Sequence, residues 1–208
     1  MCAPYGLVRD ASNNLYGTTN AGGAYANGTV FELSHKGQSW TETVLHSFDN
    51  NGTDGYGPEA GVILDTSGNL YGTTVYGGAF TSACSGSSCG TVFELSPGGQ
   101  GWTETVLHSF NDDGTDGWWP YAGLLLDASG NLYGTTGYGG SGAGGYGTVF
   151  ELSPTKGGWT ERILHNFNDN GQDGLLPMAG LVFDKSGNLY STTYSGGAGY
   201  GTVFEVIP

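Results

Sequence analysis

The chain has 208 residues, of which 41 are glycine and 7 proline without a triplet period, so the glycines mark tight turns and exclude a collagen helix. Its net charge is −14 and its five bases, Arg9, Lys36, Lys156, Arg162 and Lys185, are scattered, so no basic patch meets nucleic-acid phosphates or an anionic membrane surface. No run of 18 apolar residues spans a bilayer, no signal peptide is visible in Met1–Tyr5 ahead of the first repeat, and an aromatic fraction of 13% excludes a disordered tail.

The first element is Gly6-Leu-Val-Arg-Asp10, and it opens a phrase that occurs four times. Its copies start at Gly61, Gly123 and Gly180, and each is apolar on both faces, the pattern of a strand buried from both sides. A turn of the type Asp-x-Ser-Gly-Asn follows. Asp, Ser and Asn close such turns through their side chains, and Gly supplies the left-handed position. The second strand is Asn14-Leu-Tyr-Gly-Thr-Thr19, with copies at Asn69, Asn131 and Asn188. Its tyrosines, Tyr16, Tyr71, Tyr133 and Tyr190, step by 55, 62 and 57 residues, a period that means one supersecondary unit per repeat.

A Gly-rich loop of variable length comes next and absorbs most of the variation in period, which places it at the surface. The third strand is Gly28-Thr-Val-Phe-Glu-Leu-Ser34, repeated from Gly90, Gly147 and Gly201. The fourth is Trp102–Phe110, with copies starting at Trp40 and Trp159 and no fourth copy. Strict alternation puts Trp102, Glu104, Val106, His108 and Phe110 on one face.

Four antiparallel strands per repeat describe a propeller blade. The expectation is an all-β protein, a β-propeller of four blades in a single domain over residues 1–208. The repeats cover roughly 6–48, 61–110, 123–167 and 180–207, and the last blade lacks its outer strand. The doubly apolar Gly6–Asp10 run and its copies should be innermost, and the more polar Trp102–Phe110 run outermost. The third strand of the last blade, with Thr202, Val203, Phe204, Glu205, Val206 and Ile207, should then present an unpaired edge. Such an edge templates pairing with another chain, so the expected partner is a second copy or a further repeat, assembled head to tail into a ring or a filament.

Gly-Thr-Val-Phe-Glu-Leu-Ser-Pro, Gly-Trp-Thr-Glu-Thr-Val-Leu-His-Ser-Phe and Asp-x-Ser-Gly-Asn-Leu-Tyr-Gly-Thr-Thr with a trailing Gly-Gly recur in this order. This arrangement resembles the GloVer (Gloeo/Verruco) tandem repeat of bacterial surface proteins, over nearly the whole chain. The resemblance implies an exported bacterial protein, extracellular or at the cell surface, often part of a longer array and sometimes carrying a C-terminal sorting signal, which is not seen ahead of Pro208. It brings no catalytic residues.

Cys84 and Cys89, in a loop longer than its counterparts, are spaced to close a small ring, and a disulfide there would imply an oxidising compartment. A metal reading needs two more soft ligands, and none is in sequence reach. Cys2 has no evident partner. His46, His108 and His165 occupy equivalent outer-strand positions and are expected to be structural. So are Glu32, Glu94, Glu151 and Glu205, which could bond a neighbouring blade.

The loops at 49–55, 111–117 and 168–174 are rich in Asp, Asn and Gly. They offer Asp54, Asp112, Asp116, Asp169 and Asp173 as oxygen ligands for calcium, the one cofactor the sequence raises. Yet their spacing departs from an EF-hand and no Glu closes them, so a turn with side-chain-to-backbone bonds is the competing reading. Repeat symmetry is broken at Arg9, Glu59, Trp118, Trp119, Arg162 and Lys185. Trp118 and Trp119, with Tyr56 at the equivalent place, could stack on a sugar ring or fold down over the blade edge. With no catalytic motif, a non-catalytic surface protein is the leading reading and a carbohydrate-binding module the alternative.

Overall fold

The strand-forming phrases pair in order within each repeat. The computed structural model describes residues 6–141 and 144–208, so Cys2 lies outside the described residues. The first sheet runs Val8–Arg9, Leu15–Thr19, Thr29–Lys36 and Ser39–Ser47. The second is built from Ile63–Leu64, Leu70–Thr74, Thr91–Gly98 and Gly101–Ser109, and the third from Leu125–Leu126, Leu132–Thr136, Thr148–Thr155 and Gly158–Asn166. The fourth has three strands, Val182–Phe183, Leu189–Thr192 and Val203–Val206. All pairs between these strands are antiparallel, and every regular element among the described residues is a strand.

The expected strand order within each sheet holds, with one correction at the first strand. Of Gly6–Asp10 only Val8 and Arg9 pair, and these edge strands are half-buried or exposed, not enclosed on both faces. The turn takes the rest. Asp10 Oδ1 accepts from the backbone N–H groups of Ser12 and Asn14, each at 2.8 Å, so the residue already belongs to the hairpin. The same bonds recur at Asp65, Asp127 and Asp184.

Three short ladders were not apparent in the sequence. Gly55–Tyr56 pairs with Tyr76–Gly77, Gly117–Trp118 with Tyr138–Gly139, and Gly174–Leu175 with Ser195–Gly196. Each ties the segment entering a repeat to that repeat's own Gly-rich loop. Gly90 shows why the approach is close. Its φ is +96°, and a Cβ there would lie 2.4 Å from the Thr74 carbonyl oxygen and 2.9 Å from Cδ of Pro120 in the next repeat.

Consecutive sheets pack face to face. Phe48 meets Phe93 edge-on at 5.2 Å, Phe110 meets Phe150 at 5.3 Å, and Phe167 meets Phe204 at 5.0 Å, each pair spanning two repeats. Beside them a threonine hydroxyl donates to a backbone carbonyl of the following repeat: Thr18 to Ala60, Thr73 to Ala122 and Thr135 to Ala179. Where the first two repeats begin, their backbones touch, since a Cβ on Gly61 would fall 2.3 Å from the Gly6 carbonyl oxygen.

The repeated glutamates bond within their own sheet, not to a neighbouring one. Tyr133 OH donates to Glu151 at 3.1 Å and lies 3.2 Å from Asp127 Oδ2, and Arg162 Nε donates to Glu151 at 2.8 Å. Tyr16, Tyr71 and Tyr190 repeat the arrangement with Glu32, Glu94 and Glu205.

Asp127 carries a pH dependence. Burial alone would raise its carboxyl, but bonds from the Asn131 backbone and side chain, the Ser129 N–H and the Tyr133 hydroxyl outweigh burial and hold it below the usual carboxylate range. A depressed folded pKa adds stability above the ordinary value of 3.8, and that stability is lost as pH falls through the folded value. The thermal midpoint should therefore fall between about pH 5 and about pH 2, and Asp127→Asn should reduce that fall. An unchanged pH slope in the variant would contradict this account.

Candidate functional site

The groups with the most chemistry sit at the seams between sheets, and a backbone irregularity puts them there. Strict alternation would keep His108 on the face of Glu104 and Val106. Instead the outer strand bulges: Val106 pairs with Phe93, but His108 pairs with Val92, and Leu107 is left without a partner in the register. A bulge of one residue turns the side chains beyond it to the other face. Glu104 thus faces the preceding repeat, and His108 the following one. The same shift occurs at Val44/His46 and Ile163/His165.

Each turned histidine meets the aspartate of the loop that follows it. His46 Nε2 lies 3.0 Å from Asp54 Oδ2, His108 Nε2 3.0 Å from Asp116 Oδ2, and His165 Nε2 3.1 Å from Asp173 Oδ2. Backbone N–H groups of Asp49 and Asn111 donate to the same oxygens of Asp54 and Asp116. The next repeat's outer strand then supplies a second carboxylate. Glu104 joins His46 and Asp54, and Glu161 joins His108 and Asp116, with one ligand atom from each residue all within 4.8 Å of one another. The fourth sheet has no such strand, so His165 and Asp173 form a pair only, and both are more exposed than their counterparts.

The five aspartates raised as calcium ligands sit in different surroundings. Asp54, Asp116 and Asp173 turn away from their loops toward histidines, while Asp112 and Asp169 are exposed, so the five do not converge. The loops themselves are closed by side-chain-to-backbone bonds, such as Asp113 Oδ1 accepting from Thr115 and Asp116 N–H. Burial opposes protonation of His46 and His108, but the aspartate bond and the surrounding carboxylates outweigh it, and both imidazoles are raised. Burial also pushes Glu104 and Glu161 well up, and the neighbouring aspartate adds to this in each case. These two glutamates were visible as a recurring Trp-Thr-Glu, but only the bulge and the packing of sheets bring them to a histidine.

The aromatic candidates are placed differently from an exposed platform. Trp118 is buried and stacks on Tyr138 with centroids 4.8 Å apart. Trp119 is half-buried; its indole Nε1 donates to the Ser88 carbonyl and its backbone N–H to the Cys89 carbonyl, both at 2.9 Å. Its φ of +55° matches the Gly57 position of the second repeat, where φ is +64°. Tyr56 stacks on Tyr76 at 5.4 Å, and Tyr76 meets Trp119 at 5.7 Å, so the three form one row across two repeats.

Cys84 and Cys89 form the expected disulfide, both sulfurs buried beside Trp118. The edge residues also divide. Val203, Glu205 and Ile207 are exposed, Thr202 and Phe204 are half-buried, and Val206 is buried. A cavity of about 430 Å³ is lined by Leu126, Tyr133, Phe183 and Pro208 among others, and by no member of a His–Asp–Glu cluster.

The chain matches the Gloeobacter/Verrucomicrobia repeat family over residues 1–204. It belongs to that family. No curated protein matches it. Among solved structures, a protein of unknown function from Dyadobacter fermentans superposes with a TM-score of 0.56 at 12% identity. The superposition covers 92% of this chain and 61% of that one, so the chain spans less than two thirds of its structural relative. At this identity the likeness speaks for the fold.

The disulfide's effect is measurable. A bridge of sequence separation 5 removes little chain entropy, equivalent to about 2 kcal/mol in the loop-closure treatment. Replacing Cys84 and Cys89 by Ser should lower unfolding stability by about that amount. It should also red-shift tryptophan fluorescence by loosening the strap that holds Trp119. Unchanged stability and emission would show that the bridge constrains nothing.

Proposed function

We propose that this family member is a non-catalytic structural protein of an extracellular surface. In this reading its sheets are consecutive blades of a propeller-like arc, and copies associate head to tail through the outward faces of the first and fourth sheets. One observation carries the proposal. Val30, Val92 and Val149 are 0% exposed against the following sheet, whereas Val203, at the same repeat position, is 78% exposed. The opposite face tells the matching story: Val62, Leu124 and Leu181 are buried, and Leu7 is 53% exposed.

The two end faces therefore carry the residues that pack against each other at the internal seams. Trp40 and Val44 are also exposed on the first sheet, and Val182 and Tyr194 in the fourth repeat. Covering each large apolar side chain is worth about 1.5–3 kcal/mol before ordering costs. The occupant that fits is a second copy of the repeat, because three internal seams already use this surface pairing. The edge strand Val203–Val206, flanked by Thr202 and Ile207, keeps its backbone edge open in this contact, because the first sheet already pairs its four strands with one another. The disulfide and the family resemblance support the extracellular setting.

A second reading has its own observation. Tyr56, Tyr76, Trp119, Tyr121 and Tyr138 are half-buried neighbours, and the partly buried Glu59 carboxyl, raised by desolvation, lies near them. Such a strip could stack on a glycan.

Sedimentation velocity tests the first reading. The parent chain should associate as concentration rises, while Leu7→Asp and Val203→Asp should each remain monomeric. An equimolar mixture of the two variants should form dimers, since one intact pair of faces remains. A monomeric parent at high concentration, or variants that associate as the parent does, would overturn it. Glycan binding lost on Trp119→Ala would promote the second reading.

A further inference from the structure

The His–Asp–Glu clusters hold more carboxylate than their own hydrogen bonds satisfy. Asp54 and Asp116 are 5% and 7% exposed. In each, Oδ2 is occupied by a histidine and a backbone N–H, while Oδ1 is buried without a partner. Glu104 Oε1 and Glu161 Oε1, reaching in from the next repeat, are buried without a partner as well. An unsatisfied buried carboxylate oxygen is costly, and one such atom from each of two repeats meets at each seam.

We propose that His46–Asp54–Glu104 and His108–Asp116–Glu161 each bind a divalent cation of the zinc class, which ties one repeat to the next. The three groups converge: one ligand atom from each lies within 4.8 Å of the others, and His108 Nε2 is 3.7 Å from Glu161 Oε1. The cation would displace the proton shared between His108 Nε2 and Asp116 Oδ2, now 3.0 Å apart. Ligand atoms about 2.0–2.2 Å from a tetrahedral cation lie about 3.3–3.6 Å from one another. An imidazole nitrogen with two carboxylates favours zinc over calcium or magnesium, which take all-oxygen shells. Three protein ligands leave a fourth position for water. The backbone N–H groups of Asp49 and Asn111 fix each aspartate, orienting Oδ1 as an outer-shell partner should.

The repeat pattern sets the count. His165 and Asp173 have no glutamate from a following outer strand, and Glu42, exposed on the outward face of the first sheet, has no preceding histidine. Two sites are complete among the described residues. The rival occupant is a proton held between each glutamate and its aspartate, which would use the same oxygens without metal.

Chelator-treated protein titrated with zinc chloride, followed by native mass spectrometry and calorimetry, separates the two. The expected result is two zinc ions per monomer. Glu104→Gln and Glu161→Gln should each remove one, and the double variant both, with affinity at least about tenfold weaker at the altered site. In parent protein, zinc should shift the imidazole NMR signals of His46 and His108 and leave His35 unmoved; this readout needs no variant to fold. No zinc uptake at about 100 times the micromolar range of ordinary weak sites, unshifted His46 and His108 signals, or two ions retained in the double variant would overturn the proposal in favour of the shared proton.

Discussion

A sheet of three or four short strands cannot bury enough apolar surface to stand alone, so each repeat of this chain depends on the sheet beside it. The internal seams are built alike. A phenylalanine at the end of one outer strand meets a phenylalanine in the third strand of the next sheet, and a threonine hydroxyl crosses to the next backbone. Valines such as Val92 lie wholly buried between them. Where no neighbour covers the surface, the same residue types stand in water, as Leu7 and Val203 do. For these positions burial is set by the presence of the adjoining repeat, although Phe31 on the outward face of the first sheet stays buried within its own sheet.

The charge of the chain is organised by the same repetition. Within each sheet a tyrosine hydroxyl lies near a hairpin aspartate and a third-strand glutamate. Burial and the two carboxylates push the phenols of Tyr16 and Tyr133 up to about 12, so each stays a neutral donor. Acids that would repel one another across a small sheet are held by a shared hydroxyl. The arrangement needs few bases, and among the described residues Arg162 on Glu151 adds a cation to it.

Much of the architecture was legible because it is local and repeated four times. Alternation and turn chemistry gave the second, third and fourth strands within a residue or two, and the Asp-x-Ser-Gly-Asn phrase named its own hairpin bonds. The spacing of Cys84 and Cys89 gave their bridge. What failed was whatever depends on one inserted residue or on a neighbouring sheet. The bulge after Val106 leaves no mark in an alternating sequence, so His108 was assigned to the wrong face. Glu104 and Glu161 looked like surface positions of a polar strand, and Asp54 and Asp116 like loop oxygens, because nothing local says that a second repeat closes over them. Trp118 and Trp119 stood out by breaking symmetry, but their burial against the disulfide loop is a contact between repeats.

The bulge lets one strand serve two seams, with glutamate toward the repeat before it and histidine toward the repeat after it. Any repeat built this way can follow any other, so unequal crossing-over could lengthen or shorten such a gene in whole units without spoiling a junction. The second and third repeats are the exception. Trp119, carried on the segment entering the third, is fitted to Ser88 and Cys89 of the second, and a stranger substituted for either would leave a gap where the indole now rests. That junction would have to be inherited as a pair.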